Sequence, residues 1–107
     1  MNVRWSPHAE SLLYDIVIGI AYALSPDDAL RWEGNLRTTA TNLGDFPHIG
    51  TAIPPECFHT IPNNIDLLRQ TFCGPYRIVY EPAEDEIRIL SIRHTRMLVD
   101  QGDTNWN

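Results

Sequence analysis

The chain has 107 residues, which suits one domain around one modest core, and no shift in composition marks a second. All eight cationic side chains are arginine (4, 31, 37, 69, 77, 88, 93 and 96), and a net charge of −6 argues against direct, tight binding to DNA, which runs on phosphate neutralisation. The longest apolar stretch, Ile16 to Leu24, is too short to cross a bilayer, the first residues lack a secretory h-region, and a pair of cysteines, Cys57 and Cys73, reads as reduced thiols, so the expected location is the cytoplasm.

Residues 2–5 read as a short strand with Val3 and Trp5 on one face. Ser6-Pro7 then has the form of an N-cap followed by the first helical position, because the Ser oxygen accepts an orphan amide and proline has no amide to waste there. Ala9, Leu12, Leu13, Ile16, Val17, Ile20 and Leu24 follow at the spacing of one buried helical stripe. The signal repeats at Ser25-Pro26, with Asp27 and Asp28 at the positive end of the helix dipole, a thinner apolar face of Ala29, Trp32, Leu36, Ala40 and Leu43, and Gly44 as the expected stop. So short a break between the two predicts an antiparallel helical hairpin.

From 45 to 64 the periodicity is lost, and prolines 47, 54, 55 and 62 with Gly50 predict a long loop, the kind of segment that is often functional. Strand-like runs return at 65–72, 76–81 and 86–93, with Pro82 to Asp85 as a four-residue hairpin loop. Pairing Glu81 with Glu86 sets Tyr80 opposite Ile87, Ile78 opposite Ile89 and Arg77 opposite Leu90. That register gathers Tyr76, Ile78, Tyr80, Ile87 and Ile89 on one face, and Arg77, Val79, Arg88, Leu90, Ile92 and His94 on the other. Residues 100–107 carry no pattern and read as a flexible tail whose Trp106 awaits a partner. The expected class is α+β: a strand, a helical hairpin, then an antiparallel β-meander.

Four stretches in this order resemble the RelE/ParE superfamily, the toxins of bacterial type II toxin–antitoxin systems. Val3-Arg4-Trp5-Ser6-Pro7-His8-Ala9 is similar to the family's opening strand and capped helix, and Leu43-Gly44-Asp45-Phe46-Pro47-His48-Ile49-Gly50 to its Leu…Pro…Gly segment. Leu68-Arg69 with Gly74-Pro75-Tyr76-Arg77-Ile78-Val79-Tyr80-Glu81 resembles its Leu-Arg and Tyr-Arg strands, and Ile89-Leu90-Ser91-Ile92-Arg93-His94-Thr95-Arg96 its last strand with a His-x-Arg ending. The resemblance implies the RelE/ParE fold, a cognate antitoxin as partner, and one of two targets. ParE-like members bind and block DNA gyrase; RelE-like members cut mRNA on the ribosome.

Cleavage needs a base for the 2′-hydroxyl, a cation on the phosphate and an acid for the leaving oxygen. The resemblance places Arg77 and Arg96 at the family's phosphate-contacting arginines, and His94 is the remaining candidate base. RelE-like nucleases carry lysines on the strand matching 65–70 and a tyrosine after the last strand. This chain has neither, since its last tyrosine is Tyr80. The leading expectation is therefore a ParE-like inhibitor using Arg69, Arg77, Arg93 and Arg96 against a target, with a nuclease or a degenerate antitoxin-binding member as rivals. The plainer alternatives are that His94 and Arg96 brace the sheet edge and that Arg77 pairs with Glu81, Glu86 or another carboxylate. His48, Cys57, His59 and Cys73 match no zinc spacing, so neither a metal nor another cofactor is expected.

Overall fold

The computed structural model describes residues 1–106; Asn107, the last residue of the expected tail, lies outside them. Strand β1 (Asn2–Trp5) leads into α1 (Pro7–Ala23) and α2 (Pro26–Asn42), followed by β2 (Thr51–Ala52), β3 (Arg69–Cys73), β4 (Tyr76–Pro82) and β5 (Glu86–His94). Short 3-10 turns fill Pro55–Cys57, Ile65–Leu67 and Gln101–Asp103. The five strands form one sheet in the order β1-β5-β4-β3-β2, with β1 parallel to β5 and every other pair antiparallel.

Both helices begin where the caps predict. Ser6 Oγ accepts from the Ala9 N–H at 2.9 Å and Ser25 Oγ from the Asp28 N–H at 3.0 Å. Ser6 also donates to the Leu90 carbonyl at 3.2 Å, so this cap fastens α1 to the middle of the sheet. Leu24 is the exception in the predicted stripe: it sits past the end of α1 and is exposed. Gly44 does not stop α2 by a left-handed conformation, because Gly74 is the only positive-φ residue among the described residues. It is needed instead for space: a Cβ there would strike the Met1 carbonyl, while the Met1 ammonium donates to the Gly44 carbonyl at 3.0 Å.

The β4–β5 register differs from the predicted one. Glu81 lies opposite Arg88 and Tyr80 opposite Ile89, two residues along, which avoids facing the Glu81 and Glu86 carboxylates and preserves the faces of Ile87 and Ile89. A bulge between Val79 and Tyr80 then brings Ser91 opposite Val79, Ile92 opposite Ile78, Arg93 opposite Arg77 and His94 opposite Tyr76. One extra residue in β5 inverts everything beyond it, so Ile92 and His94 stand on the helix side, contrary to expectation.

Two apolar clusters result. Ala9, Leu13, Leu36, Ala40 and Leu43 of the helical layer pack on Ile78, Tyr80, Ile87, Ile89 and Ile92. The opposite face, with Val79 and Leu90, is closed by Ile53, Phe58, Leu68 and Val99 from the irregular segments. The predicted loop is therefore a cover for the outer face, anchored where its few apolar residues fall. The strand expected at 65–72 is correspondingly shortened, because Ile65–Leu67 forms a 3-10 turn before β3 begins at Arg69.

The end of the chain also departs from the expected flexible tail. Gln101–Asp103 is a 3-10 turn closed by a capping box between Asp100 and Asp103, and the Asp103 side chain is fully buried. Trp106 stacks under two guanidinium groups, 5.6 Å from Arg4 and 5.3 Å from Arg88, and packs against the outer cluster.

Candidate functional site

At the β3–β4 turn end of the sheet, alternation and the bulge divide the predicted site residues between two faces. Phe72, Arg77 and Arg93 form a row across β3, β4 and β5 on the outer face, since directly paired residues share a face. Tyr76 and His94 pair on the helix side. Arg69 pairs with Tyr80 and so also belongs to the helix-side register.

Arg77 is buried, with 8% of its surface exposed, and every partner is neutral. Its Nε donates to Gln70 Oε1 at 2.9 Å, Nη1 to the Met97 carbonyl at 3.3 Å and Nη2 to Cys57 Sγ at 3.8 Å, while the guanidinium lies 5.9 Å from the Phe72 ring centre. The expected pairing with Glu81 or Glu86 is not made. Both carboxylates stand at the other end of the hairpin and go to Arg88, at 3.5 and 2.7 Å, with Arg4 also on Glu86 at 3.4 Å. These contacts, the Arg88 hydrogen bond foremost, hold the Glu86 carboxyl below its usual range.

Arg93 does have a carboxylate. Its Nε donates to Asp103 Oδ2 at 3.0 Å and its Nη2 to Oδ1 at 3.1 Å, and His8 Nε2 meets Oδ1 at 2.7 Å. Burial alone pushes the Asp103 carboxyl up, but hydrogen bonds from Arg93, His8 and the Asp100 N–H outweigh it and hold the group below the ordinary aspartate range. Arg96, in the turn after β5, is exposed and its side chain makes no hydrogen bond or ion pair among the described residues. Arg69 is committed to backbone, donating through Nη2 to the Gly50 carbonyl and, at 3.1 Å, to that of His48. This contact and the Tyr80 hydroxyl, which donates to the Pro47 carbonyl and accepts from the Gly50 N–H, both at 3.0 Å, tie 47–50 to the sheet.

On the helix side, His94 is half-buried and stacks edge-on against Tyr76 at 5.7 Å, which stacks in turn against Trp32 at 5.6 Å. Partial burial raises the Tyr76 phenol above its ordinary value. His94 Nδ1 accepts from the Arg96 N–H at 3.1 Å. That contact occupies one of the two ring nitrogens. Beside it lies an apolar cleft of about 210 Å³ between α1 and the sheet end, lined by Leu12, Ile16, Tyr76, Ile92 and Met97 with Asp15, Arg93 and His94. Cys57 sits on the outer side and Cys73 against the helix-side core, while His59 is 3.4 Å from Asp100, so these side chains do not converge with His48. No group of three or more His, Cys, Asp or Glu among the described residues is placed to hold a metal ion.

Residues 3–99 match the family profile of the ParE toxin of type II toxin-antitoxin system, parDE. The chain belongs to the ParE toxin family. Among solved structures, it is similar to the chromosomal ParDE toxin–antitoxin system from P. aeruginosa, with 21% identity, a TM-score of 0.71 and coverage of 88% of this chain and 95% of that one. No curated protein matches. The ParE-family fold is thus the one described above, with the arginine row and the His94 edge at one end of its sheet. Missing from the sequence reading were Asp103, its contact with His8, and the intramolecular place of Trp106. The Asp100-x-x-Asp103 spacing, a capping-box pattern, was the local signal for the buried turn.

Proposed function

We propose that this ParE-family toxin acts by binding a protein target, DNA gyrase, in the cytoplasm, and not by cutting RNA. The observation that carries this reading is the separation of the nuclease candidates. His94 stands on the helix side and Arg77 is buried on the outer side, so the candidate base and one of the two candidate phosphate cations lie on opposite faces of the sheet, which leaves only Arg96 near the histidine. Arg96 remains as an accessible cation for a target surface, with Arg69, Arg77 and Arg93 held in internal contacts. The chain's acidity favours a protein surface over a polyphosphate.

The cognate antitoxin is the second partner in this reading. Tyr14, Ile18 and Tyr22 are exposed at successive turns of α1, and the apolar cleft lies near Leu12 and Ile16 on the same helix. A segment disordered alone would gain order by covering both. Gyrase supercoiling and cleavage of ribosome-bound mRNA, measured side by side on purified protein, test the target. Inhibition without cleavage is expected, whereas A-site cleavage lost in His94→Ala establishes the nuclease instead. Absence of growth arrest on induction would mark a degenerate member that only binds antitoxin.

A further inference from the structure

Arg77 and Arg93 stand directly opposite each other on neighbouring strands, an arrangement that is unfavourable for like charges unless an anion lies between or beside them. Only one buried carboxylate is supplied. Asp103 takes Arg93 in a two-pronged contact, Asp100 stands 3.9 Å from Arg93 and is half exposed, and Arg77 receives no carboxylate at all among the described residues. A guanidinium more than nine-tenths buried beside neutral partners is a position that an anion would stabilise.

The carboxylate comes from a short segment whose attachment is mostly polar. Val99 is fixed, donating to the Cys57 carbonyl at 2.8 Å and accepting from the His59 N–H at 3.1 Å. Beyond it the turn is held by Asp103, by the Asn64 amide on the Thr104 carbonyl at 3.0 Å, and by Trp106 on Arg4 and Arg88. A polar cleft of about 340 Å³ separates it from residues 62–64 along its flank. A hinge after Val99 would therefore release Asp103 and lift Trp106 off the edge of the outer cluster, while Ile53, Phe58, Leu68, Val79, Leu90 and Val99 stay packed.

We propose that Arg93 with Arg77 forms a carboxylate-binding site, that Asp103 is its internal occupant, and that an Asp or Glu side chain of a partner segment takes its place when the C-terminal turn swings away. Arg93 also lines the apolar cleft, so the segment that fits carries an apolar side chain next to its carboxylate. One carboxylate suits the geometry Asp103 already displays, and a chain of net charge −6 disfavours a polyanion. The site stands whether or not gyrase is the target, because its ligand is defined by chemistry alone.

The probe is a fluorescein-labelled short peptide with one glutamate between leucine and tryptophan, its control the glutamine version, and the readout is anisotropy with full-length protein. An internal competitor lowers apparent affinity by the fraction of molecules left open, so Asp103→Asn is expected to bind the glutamate probe at least ~10-fold tighter than wild type. The gain should vanish with the glutamine probe and in the Asp103→Asn, Arg93→Ala double variant. His8→Ala removes a holder of Asp103 and is expected to give a smaller gain of about threefold. A folded Asp103→Asn with unchanged affinity, or a gain that survives with glutamine or without Arg93, overturns the site. Should Asp103→Asn not fold, His8→Ala decides: no gain, or no fold there either, makes the turn structural and the proposal wrong. Stronger competition by a short single-stranded RNA than by the peptide would also overturn it.

Discussion

On the helix side of the sheet, Leu13, Leu36, Ala40 and Leu43 meet Ile78, Ile87, Ile89 and Ile92, and the Tyr80 hydroxyl in their midst has both a donor and an acceptor. On the outer side a smaller apolar cluster around Val79 and Leu90 gives way to Gln70, Arg77, Arg93 and Asp103, held by irregular chain. One face is closed by regular packing and the other by a few apolar anchors and specific polar contacts. A cavity on the first is felt by the whole fold. On the second, loss of one charge has consequences set by its partners, and this is where binding can be built without dismantling the core.

The largest effect is therefore expected on the helix side. Leu36→Ala, at a fully buried position under the sheet, should destabilise by about 3–4 kcal/mol, in the usual range for a large-to-small change that leaves a cavity. Chemical denaturation measures it. Val99→Ala on the outer cover removes less volume from a cluster that irregular segments can relax around, and about 1–2 kcal/mol is expected. Equal losses at the two positions would mean that the faces are not energetically distinct.

Arg77 sharpens the contrast within the outer face. Its removal strands the Gln70 side-chain oxygen and the Met97 carbonyl but no carboxylate, so Arg77→Ala should cost about 1–2 kcal/mol rather than the 3–5 kcal/mol that accompanies breaking a buried ion pair. Arg77→Lys should recover little of that, because an ammonium cannot reach Gln70, Met97 and Cys57 with one planar fork. Thermal unfolding of the two variants checks both statements. A loss as large as that of Leu36→Ala would point to an anionic partner that the present contacts do not contain.

How legible these faces were follows from the same physics. Caps, helical spacing and the hydrophobic alternation of β4 placed Ser6, Ser25, Leu13, Leu36, Ile78 and Tyr80 correctly, because each is a local rule with a short reach. The position of His94 was not legible, since one bulged residue in β5 reverses the parity of everything after it. Nor was the partner of Arg93: Asp103 is ten residues away and reaches it only through a turn whose pattern is a single Asp-x-x-Asp. Parallel pairing of β1 with β5 depends on long-range packing and has no sequence period of its own.

Acid gives a smaller, graded test of the outer face. The native Asp103 carboxyl is held below the unfolded aspartate value of about 3.9, so its contribution is fully present above that pH and is lost as pH falls through the native value. Asp103→Asn should therefore show a shallower fall of stability on the acid side than wild type. The slope that remains belongs to Glu86 and the other paired carboxylates. Parallel acid limbs for the two proteins would show that the Arg93–Asp103–His8 contact is not formed in solution.

The smallest expected effect on stability is also the most informative about function. Arg96 makes no side-chain hydrogen bond or ion pair among the described residues and is exposed, so Arg96→Ala should unfold within about 0.5 kcal/mol of wild type. The Arg96 backbone N–H, not its side chain, holds His94 Nδ1, so the substitution leaves the histidine and its stack on Tyr76 in place. If this end of the sheet is the surface presented to the target, growth arrest after induction should nevertheless be lost, with no compensating change in the fold to explain it. Arg96→Lys keeps the charge without the planar fork. Arrest retained in lysine and lost in alanine assigns a simple charge contact, and arrest lost in both assigns a bidentate one. Wild-type arrest in Arg96→Ala would move the target surface away from the β5 end altogether, leaving the exposed stripe of Tyr14, Ile18 and Tyr22 on α1 as the next surface to test.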